Sequence, residues 1–219
     1  NECMNEQLAY TSAKYAIAEM QLAGVTTFFD MYYFEQQLAE AAEEMHSRGI
    51  LAETVIDSVT VDVPEPMGGL QYAQRFLPKW KGNRRIQASV APHAPYSNTI
   101  EVLLQADGLS EKYNVPWMMH VSEMDFEMSK FREEHHQTPI EFLEEIGVLS
   151  PRLVAAHCIH LSDHDIELLK KYDVKVAHCI GANTKSAKGV ARVRDLLAAG
   201  VSVGLGTDGP SSGNTLDLF

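Results

Sequence analysis

Six side chains able to ligate a metal or move protons stand at or just past the ends of short apolar, β-branched runs. They are Asp30, His93, His120, His157, His178 and Asp208. Neutral imidazole and carboxylate suit a divalent ion such as zinc, with ligand atoms at about 2.0–2.2 Å. The candidate ligands are His120, in Met118-Met119-His120-Val121-Ser122-Glu123, and Asp208, in Gly204-Leu205-Gly206-Thr207-Asp208-Gly209. A histidine inside an apolar strand is, taken alone, more often a satisfied core residue than a ligand. Glu123 shifts that balance. Just beyond the strand, its carboxylate can take and return protons at a metal-bound water, whose pKa is brought down toward ~7. Asp208-Gly209 has a bland reading as a turn, since Asp-Gly is a common turn dipeptide. The buried strand before it, and glycines that let other groups approach, favour a functional reading.

His157 lies in Ala155-Ala156-His157-Cys158-Ile159-His160. Neighbouring strand residues face opposite sides, so His157 and Cys158 cannot both point inward and form no His–Cys chelate. His157 is assigned inward, as an electrostatic or hydrogen-bonding partner of the attacking oxygen. Cys158 reads as a small buried hydrophobe. Ala177-His178-Cys179-Ile180 repeats the pattern and the same face argument applies; structural and catalytic roles for His178 both stay open. His46, His135 and His136 fall on helices or their edges and read as solvated.

These residues need elements to hold them, and the pattern supplies alternating strands and helices. A helix is expected over 5–22, closed by Gly24, then a strand over 25–29 running into Asp30. A helix over 35–48 stops at Gly49, and a strand covers 50–56. The loop 63–69 has paired Pro and Gly, which break both periods. A helix over 70–80 and a strand over 86–91 lead to His93. Asn98 and Glu101 make a capping-box-like helix start. A strand over 117–121 holds His120. Thr138-Pro139-Ile140-Glu141 opens a helix that Gly147 closes. Strands over 153–156 and 174–177 deliver His157 and His178, with a helix capped by Ser162 and Asp165 between them. A helix over 190–199, stopped by Gly200, precedes the last strand, 201–207, which delivers Asp208.

Repeated βα units argue for a parallel sheet with both faces covered. An open doubly wound sheet and a (β/α)8 TIM barrel both fit seven such strands. No GxGxxG follows the first strand, which weakens a dinucleotide-binding reading. The six strand-end residues decide for the barrel, because a barrel gathers these ends into one rim, where active sites are built. At 219 residues the chain is short of the ~250 typical of that fold. It is expected to be one domain, 1–219, forming an incomplete barrel.

Eighteen Lys and Arg against thirty Asp and Glu give a net charge of -12. Such a surface repels phosphate backbones, so no nucleic-acid partner is expected. The three cysteines, Cys3, Cys158 and Cys179, are odd in number and form no CxxC motif, which fits a reducing cytoplasm without disulfides. No apolar run is long enough to span a membrane and no signal peptide opens the chain. The first residue is Asn1 and nothing marks a stop after Phe219, so both ends read as cut from a longer chain.

In this order the motifs resemble the amidohydrolase superfamily, specifically the branch of methylthioadenosine/S-adenosylhomocysteine deaminases and related chlorohydrolases. The resemblance rests on Gly24-Val25-Thr26-Thr27 with Asp30-Met31-Tyr32; on Ala91-Pro92-His93-Ala94-Pro95-Tyr96; on His120-Val121-Ser122-Glu123; on Ala156-His157-Cys158-Ile159-His160-Leu161; and on Gly206-Thr207-Asp208-Gly209 with Ser212 and Asn214. It implies one divalent metal, usually zinc, held by an HxH pair on strand 1, by His120 on strand 5 and by Asp208 on strand 8. It implies Glu123 as proton shuttle, His157 as a polarising partner, and substrate contacts from His93 and Ser212. The implied reaction is hydrolytic deamination of an adenosine-like nucleoside, with metal-bound hydroxide attacking C6 and ammonia leaving. A homo-oligomer is implied by resemblance alone.

Two departures stand out. No HxH motif occurs in the sequence, so strand 1 and half the metal site are expected upstream of Asn1. A seven-stranded segment would leave two unpaired edges, and it is expected to bind metal weakly and to be inactive alone. After the strand of His178 the family usually has His-Asn-Pro and then Ser-Asn-x-Lys-Leu. Here Asn183, Lys185 and Gly189 survive, and the Asn-Pro and the Leu do not. Guanine-type deamination or triazine dechlorination would use the same metal and water. A catalytically inactive barrel acting as a binding protein would have no chemical need for Glu123, His157 and Asp208. A phosphate-binding barrel would want a Gly-rich cradle, and Asp208 beside Gly204-Leu205-Gly206 would repel the anion.

Overall fold

The structure, a computed structural model, describes residues 3–218. Its elements alternate in chain order. Helix α1 (Glu6–Leu22) is followed by β1 (Thr27–Tyr32), α2 (Glu35–Glu44), β2 (Arg48–Val55), α3 (Gly68–Trp80) and β3 (Ile86–Pro92). Then come α4 (Ile100–Tyr113), β4 (Trp117–Val121), α5 (Asp125–His135), α6 (Pro139–Glu145), β5 (Leu153–His157) and α7 (Asp163–Lys171). The last elements are β6 (Lys175–His178), α8 (Ile180–Lys185), α9 (Val193–Ala199), β7 (Val203–Leu205) and α10 (Pro210–Gly213).

All seven expected strands form, and every pairing is parallel. They make two sheets, β1-β2-β3 and β4-β5-β6-β7, rather than one closed barrel. The sheets meet at the strand ends, where His120 N donates to the His93 carbonyl at 3.0 Å. Parallel order puts the C-terminal ends of each sheet on one side, which carries the candidate residues. Among the described residues, β1 and β7 each lack a partner on their outer edge.

The helices begin where their caps dictate. Asn5 accepts from Leu8 N at 2.9 Å, a bond typically contributing about 1 kcal/mol. Thr138 and Ser162 both form full capping boxes, with Glu141 and Asp165. The cap before α4 is Thr99, not Asn98: its hydroxyl accepts from Val102 N, while Asn98 Nδ2 turns back to the Ala94 carbonyl. Helix α2 ends earlier than expected. His46 takes the left-handed turn, with φ 54, so Gly49 is released into β2.

Alternation within β4 positions the site. Trp117, Met119 and Val121 are buried in the core, whereas Met118 and His120 are half-buried and line a cavity on the other face. The cross-strand register sets His120 beside Ala156 and Ala156 beside Ala177. Two alanines on that row leave space for the imidazole.

Candidate active site

The cavity is about 320 Å³ and is lined by Asp30, His120, His157, Cys179 and Asp208, with apolar walls from Phe29, Met31 and Met118. A larger cavity of about 510 Å³ opens at the opposite, N-terminal strand ends, walled by Arg48, Lys81, Arg84 and Trp80. It contains none of the six candidates.

His120 is oriented by the backbone. Its Nδ1 lies 2.7 Å from the His93 carbonyl oxygen. A carbonyl only accepts, so the hydrogen sits on Nδ1 and the Nε2 lone pair remains for a ligand. Burial, then the nearby His157, hold its pKa below the ordinary value, which keeps the ring neutral as ligation requires. The neutral ring, the pinned tautomer and the nearby Asp208 carboxylate fit a divalent cation. His93 lies beside His120 with ring centroids 5.0 Å apart, and its Nδ1 meets Ser97 Oγ at 2.8 Å. Burial, followed by His120, lowers the His93 pKa to about 4, so it too is neutral.

His157 is wholly buried, and its ring stacks on His120 at 5.3 Å. The last residue of β5, it adopts φ 70, so the alternation that carries Ala156 to the cavity no longer governs it. Its Nδ1 contacts Asn183 Oδ1 at 2.7 Å, and its Nε2 lies 3.4 Å from Glu123 Oε1. Cys158 is buried away from the cavity, as expected, and burial raises its thiol far above the ordinary range.

At β6 only one of the pair faces the cavity, as the face argument requires. Cys179 lines the cavity and His178 does not. Cys179 lies past the strand end with φ -107 and ψ 63, so strand alternation has stopped before it. Burial, then Asp208, push its thiol up to about 12. Gly206 makes the approach possible: a Cβ there would lie 2.9 Å from Cys179 Sγ. Asp208 itself takes φ 59 and accepts from Gly209 N at 2.7 Å. Asp30, expected at the end of its strand, sits inside β1, which continues to Tyr32.

Glu123 is buried beside the cavity rather than in its lining. Burial works to raise its carboxyl, but His157, Lys188 and His120 outweigh that and hold it below the ordinary value. Two neighbours carry no motif of their own. Glu127, at the start of α5, accepts from Ser122 N and Glu123 N at 2.9 Å each. Lys188 reaches Glu123 Oε1 at 2.5 Å. A usable signal for Glu127 was a carboxylate four residues beyond Glu123 at a helix start; Lys188, a single cation in a loop, offered none. Ser212, on α10, is half-buried and outside the cavity lining.

Four non-glycine residues with left-handed backbone cluster here: Ser122, His157, Cys158 and Asp208. Each such conformation costs on the order of 1–3 kcal/mol, and such residues concentrate at functional sites. Among the described residues, no three His, Cys, Asp or Glu group closely enough to hold a metal by themselves.

A parallel α/β fold whose strand ends gather histidines and carboxylates round one cavity is the architecture of a hydrolase of the amidohydrolase type. The Amidohydrolase family model matches residues 1–219, and the chain belongs to that family. It is 38% identical over 216 residues to a 5-methylthioadenosine/S-adenosylhomocysteine deaminase of Syntrophobacter fumaroxidans, covering 99% of this chain and 49% of the relative. It is 41% identical over 206 residues to a 5'-deoxyadenosine deaminase of Methanothrix thermoacetophila, covering 94% of this chain and 48% of that one. An adenosine deaminase from Xanthomonas campestris, crystallised with bound zinc, superposes with a TM-score of 0.95 at 27% identity, covering 99% of this chain and 49% of that one. The chain thus spans about half the length of the relatives it matches. Cys3, Cys158 and Cys179 are all free, and no helix among the described residues is long and apolar enough to cross a membrane.

Proposed function

We propose that this protein is a metal-dependent hydrolytic deaminase of adenosine-like nucleosides, with 5'-methylthioadenosine and S-adenosylhomocysteine as first candidates. Residues 1–219 would form one domain, strands 2–8 of an eight-stranded (β/α)8 barrel. The observation that carries the reading is the His120 ring, pinned at Nδ1 and stacked on His157, in a cavity that also takes in Asp208. The deaminase names of relatives near 40% identity support the substrate class.

His120 and Asp208 would hold the metal, zinc by preference, together with ligands from outside the described residues. When bound, the metal supplies Lewis acidity and lowers the pKa of water. Glu123 accepts a proton as water adds at C6 of the purine and delivers it to the ring nitrogen. His157 hydrogen-bonds the incoming oxygen. Asp208 accepts the second water proton, the C6–N bond breaks, and the amine leaves as ammonia after protonation. His93, neutral at physiological pH, and Ser212 would supply purine or ribose contacts. Each positioned acid–base group of this kind typically contributes about 10²–10⁴-fold.

The test follows ammonia release by the full-length, zinc-loaded protein from methylthioadenosine, S-adenosylhomocysteine, 5'-deoxyadenosine, adenosine and guanine. Release from the adenosine-type compounds, lost in Glu123→Gln with zinc content unchanged, is the expected result. No release with zinc bound would overturn the substrate class, and triazines would then be assayed.

A further inference from the structure

Glu123 Oε1 meets two partners at once: Lys188 Nζ at 2.5 Å and His157 Nε2 at 3.4 Å. Lys188 comes from the loop after α8, 65 residues along the chain. Neither side chain is at the surface in the usual sense, with exposures of 22% for Lys188 and 10% for Glu123. Surface ion pairs contribute little because water screens them and both chains stay mobile. This pair escapes most of that screening.

The loop is shaped for the contact. Lys188 N donates to the Asn183 carbonyl at 2.9 Å. Ala187 and Gly189, on either side, take φ of 52 and 118. A Cβ at Gly189 would come within 2.9 Å of Ile159 Cγ2, so both backbone conformation and space demand glycine there. Asn183 in turn holds His157 Nδ1 at 2.7 Å. A ring of four residues closes: Lys188 to Glu123, Glu123 to His157, His157 to Asn183, and Asn183 back to the Lys188 backbone.

We infer that Lys188 is a positioning residue for the proton-transfer carboxylate, an inference that rests on the deaminase reading. Its ammonium donates to Oε1, with His157 Nε2 3.4 Å from the same atom, which leaves Oε2 as the oxygen presented to the reaction. The carboxylate is thereby held in one rotamer before substrate arrives. Lys188 reaches the site through Glu123, so its effect falls on the step Glu123 performs. Glu127 secures the Glu123 backbone from the other side, and the two anchors together fix both ends of the side chain. A displacement of about 1 Å in a reacting group can cost about 10²-fold in rate.

The experiment uses the full-length, zinc-loaded protein and its Lys188→Met and Lys188→Arg variants, assayed for ammonia release. Lys188→Met is expected to lower kcat by about 10–100-fold while KM moves by less than about 3-fold. Lys188→Arg, which keeps a cation at that reach, is expected to restore most of kcat. A purely structural lysine would show neither the split nor the rescue. An unchanged kcat in Lys188→Met, or a loss that falls on KM alone, would overturn the assignment. A second readout needs no turnover: a thermal double-mutant cycle on the metal-free full-length protein with Lys188→Met, Glu123→Gln and both. Non-additive Tm shifts are expected; additive shifts would remove the contact and the inference with it. If wild type deaminates no nucleoside while the shifts are non-additive, the deaminase reading fails and the Lys188–Glu123 coupling stands.

Discussion

His157 Nδ1 lies 2.7 Å from Asn183 Oδ1, and both side chains are buried. An amide oxygen only accepts, so the contact places a hydrogen on Nδ1 and fixes the plane of the ring. Asn183 Nδ2 is buried too and has no hydrogen-bond partner among the described residues. The amide therefore serves His157 through its oxygen alone. Asn183→Leu leaves the Nδ1 hydrogen buried and unpaired, a loss of about 1–3 kcal/mol. A lower Tm and a lower kcat are expected together, by thermal denaturation and steady-state kinetics on the full-length protein. A variant matching wild type in both would show that Asn183 does not orient the ring.

Glu127 performs a similar service for the backbone. It is completely buried, and its two oxygens take the amides of Ser122 and Glu123. Those amides belong to a turn in which Ser122 has φ 52. Burial, against the pull of those backbone donors, raises its carboxyl to about 7. Glu127→Ala should cost about 2–4 kcal/mol, because two buried donors lose their acceptor. Glu127→Gln keeps one acceptor oxygen and should cost about half as much. Urea unfolding of the pair gives the comparison, and equal stabilities for Ala and Gln would argue that the backbone contacts contribute nothing.

The strands and most helix starts were legible because they obey local rules. β-branched apolar runs mark β1 to β7, and Thr138-Pro139-Ile140-Glu141 forms the capping box its spacing demands. What stayed hidden depends on tertiary context. Helix α5 is charged along most of its length and buries only Glu127, Met128 and Phe131, so no apolar stripe announced it. Helix α8 is six residues long and contains Gly181 and a β-branched Thr184, too short and too mixed for periodicity to reveal. His120 was legible as a cavity-facing residue because strand alternation places it. Which of His178 and Cys179 faces the cavity was not legible by that rule, because β6 ends at His178. Lys188 and Asn183 gain their roles from contacts 65 and 26 residues away, which no local pattern encodes.

Beyond the cavity, Glu53 sets a pH dependence of stability. Its side chain is wholly buried in β2. Burial, then the neighbouring Asp62 carboxylate, push it well above the ordinary value. Glu35 is raised in the same way by burial, followed by Asp30 and Glu53. In the unfolded chain such groups titrate near ~4.3. The folded chain therefore keeps protons that the unfolded chain has lost, and stability falls as pH rises. The favourable contribution is complete below about pH 4.3 and disappears as pH climbs through the raised folded values. Glu53→Gln removes the charge that burial opposes. It should be more stable than wild type near pH 8, differ little near pH 4, and decline less steeply between them, by urea unfolding across that range (about 4 to 8). Parallel stability curves for the two proteins would show that Glu53 is not the group responsible.

Zinc affinity tests how the site is divided along the protein. A catalytic zinc site takes about three protein ligands, and among the described residues no three candidates group closely enough to provide them. His120 and Asp208 can contribute two. Each ligand must also be held in place before the ion arrives, and Asp208 sits after β7, whose outer edge has no partner strand among the described residues. The 219-residue chain is therefore expected to bind zinc weakly and below one equivalent in equilibrium dialysis, whereas the full-length protein binds one equivalent tightly. His120→Ala should abolish the weak binding of the chain and sharply reduce that of the full-length protein. Tight one-to-one binding by the 219-residue chain would mean that it holds a complete site, and the assignment of His120 and Asp208 as half of a shared site would be wrong.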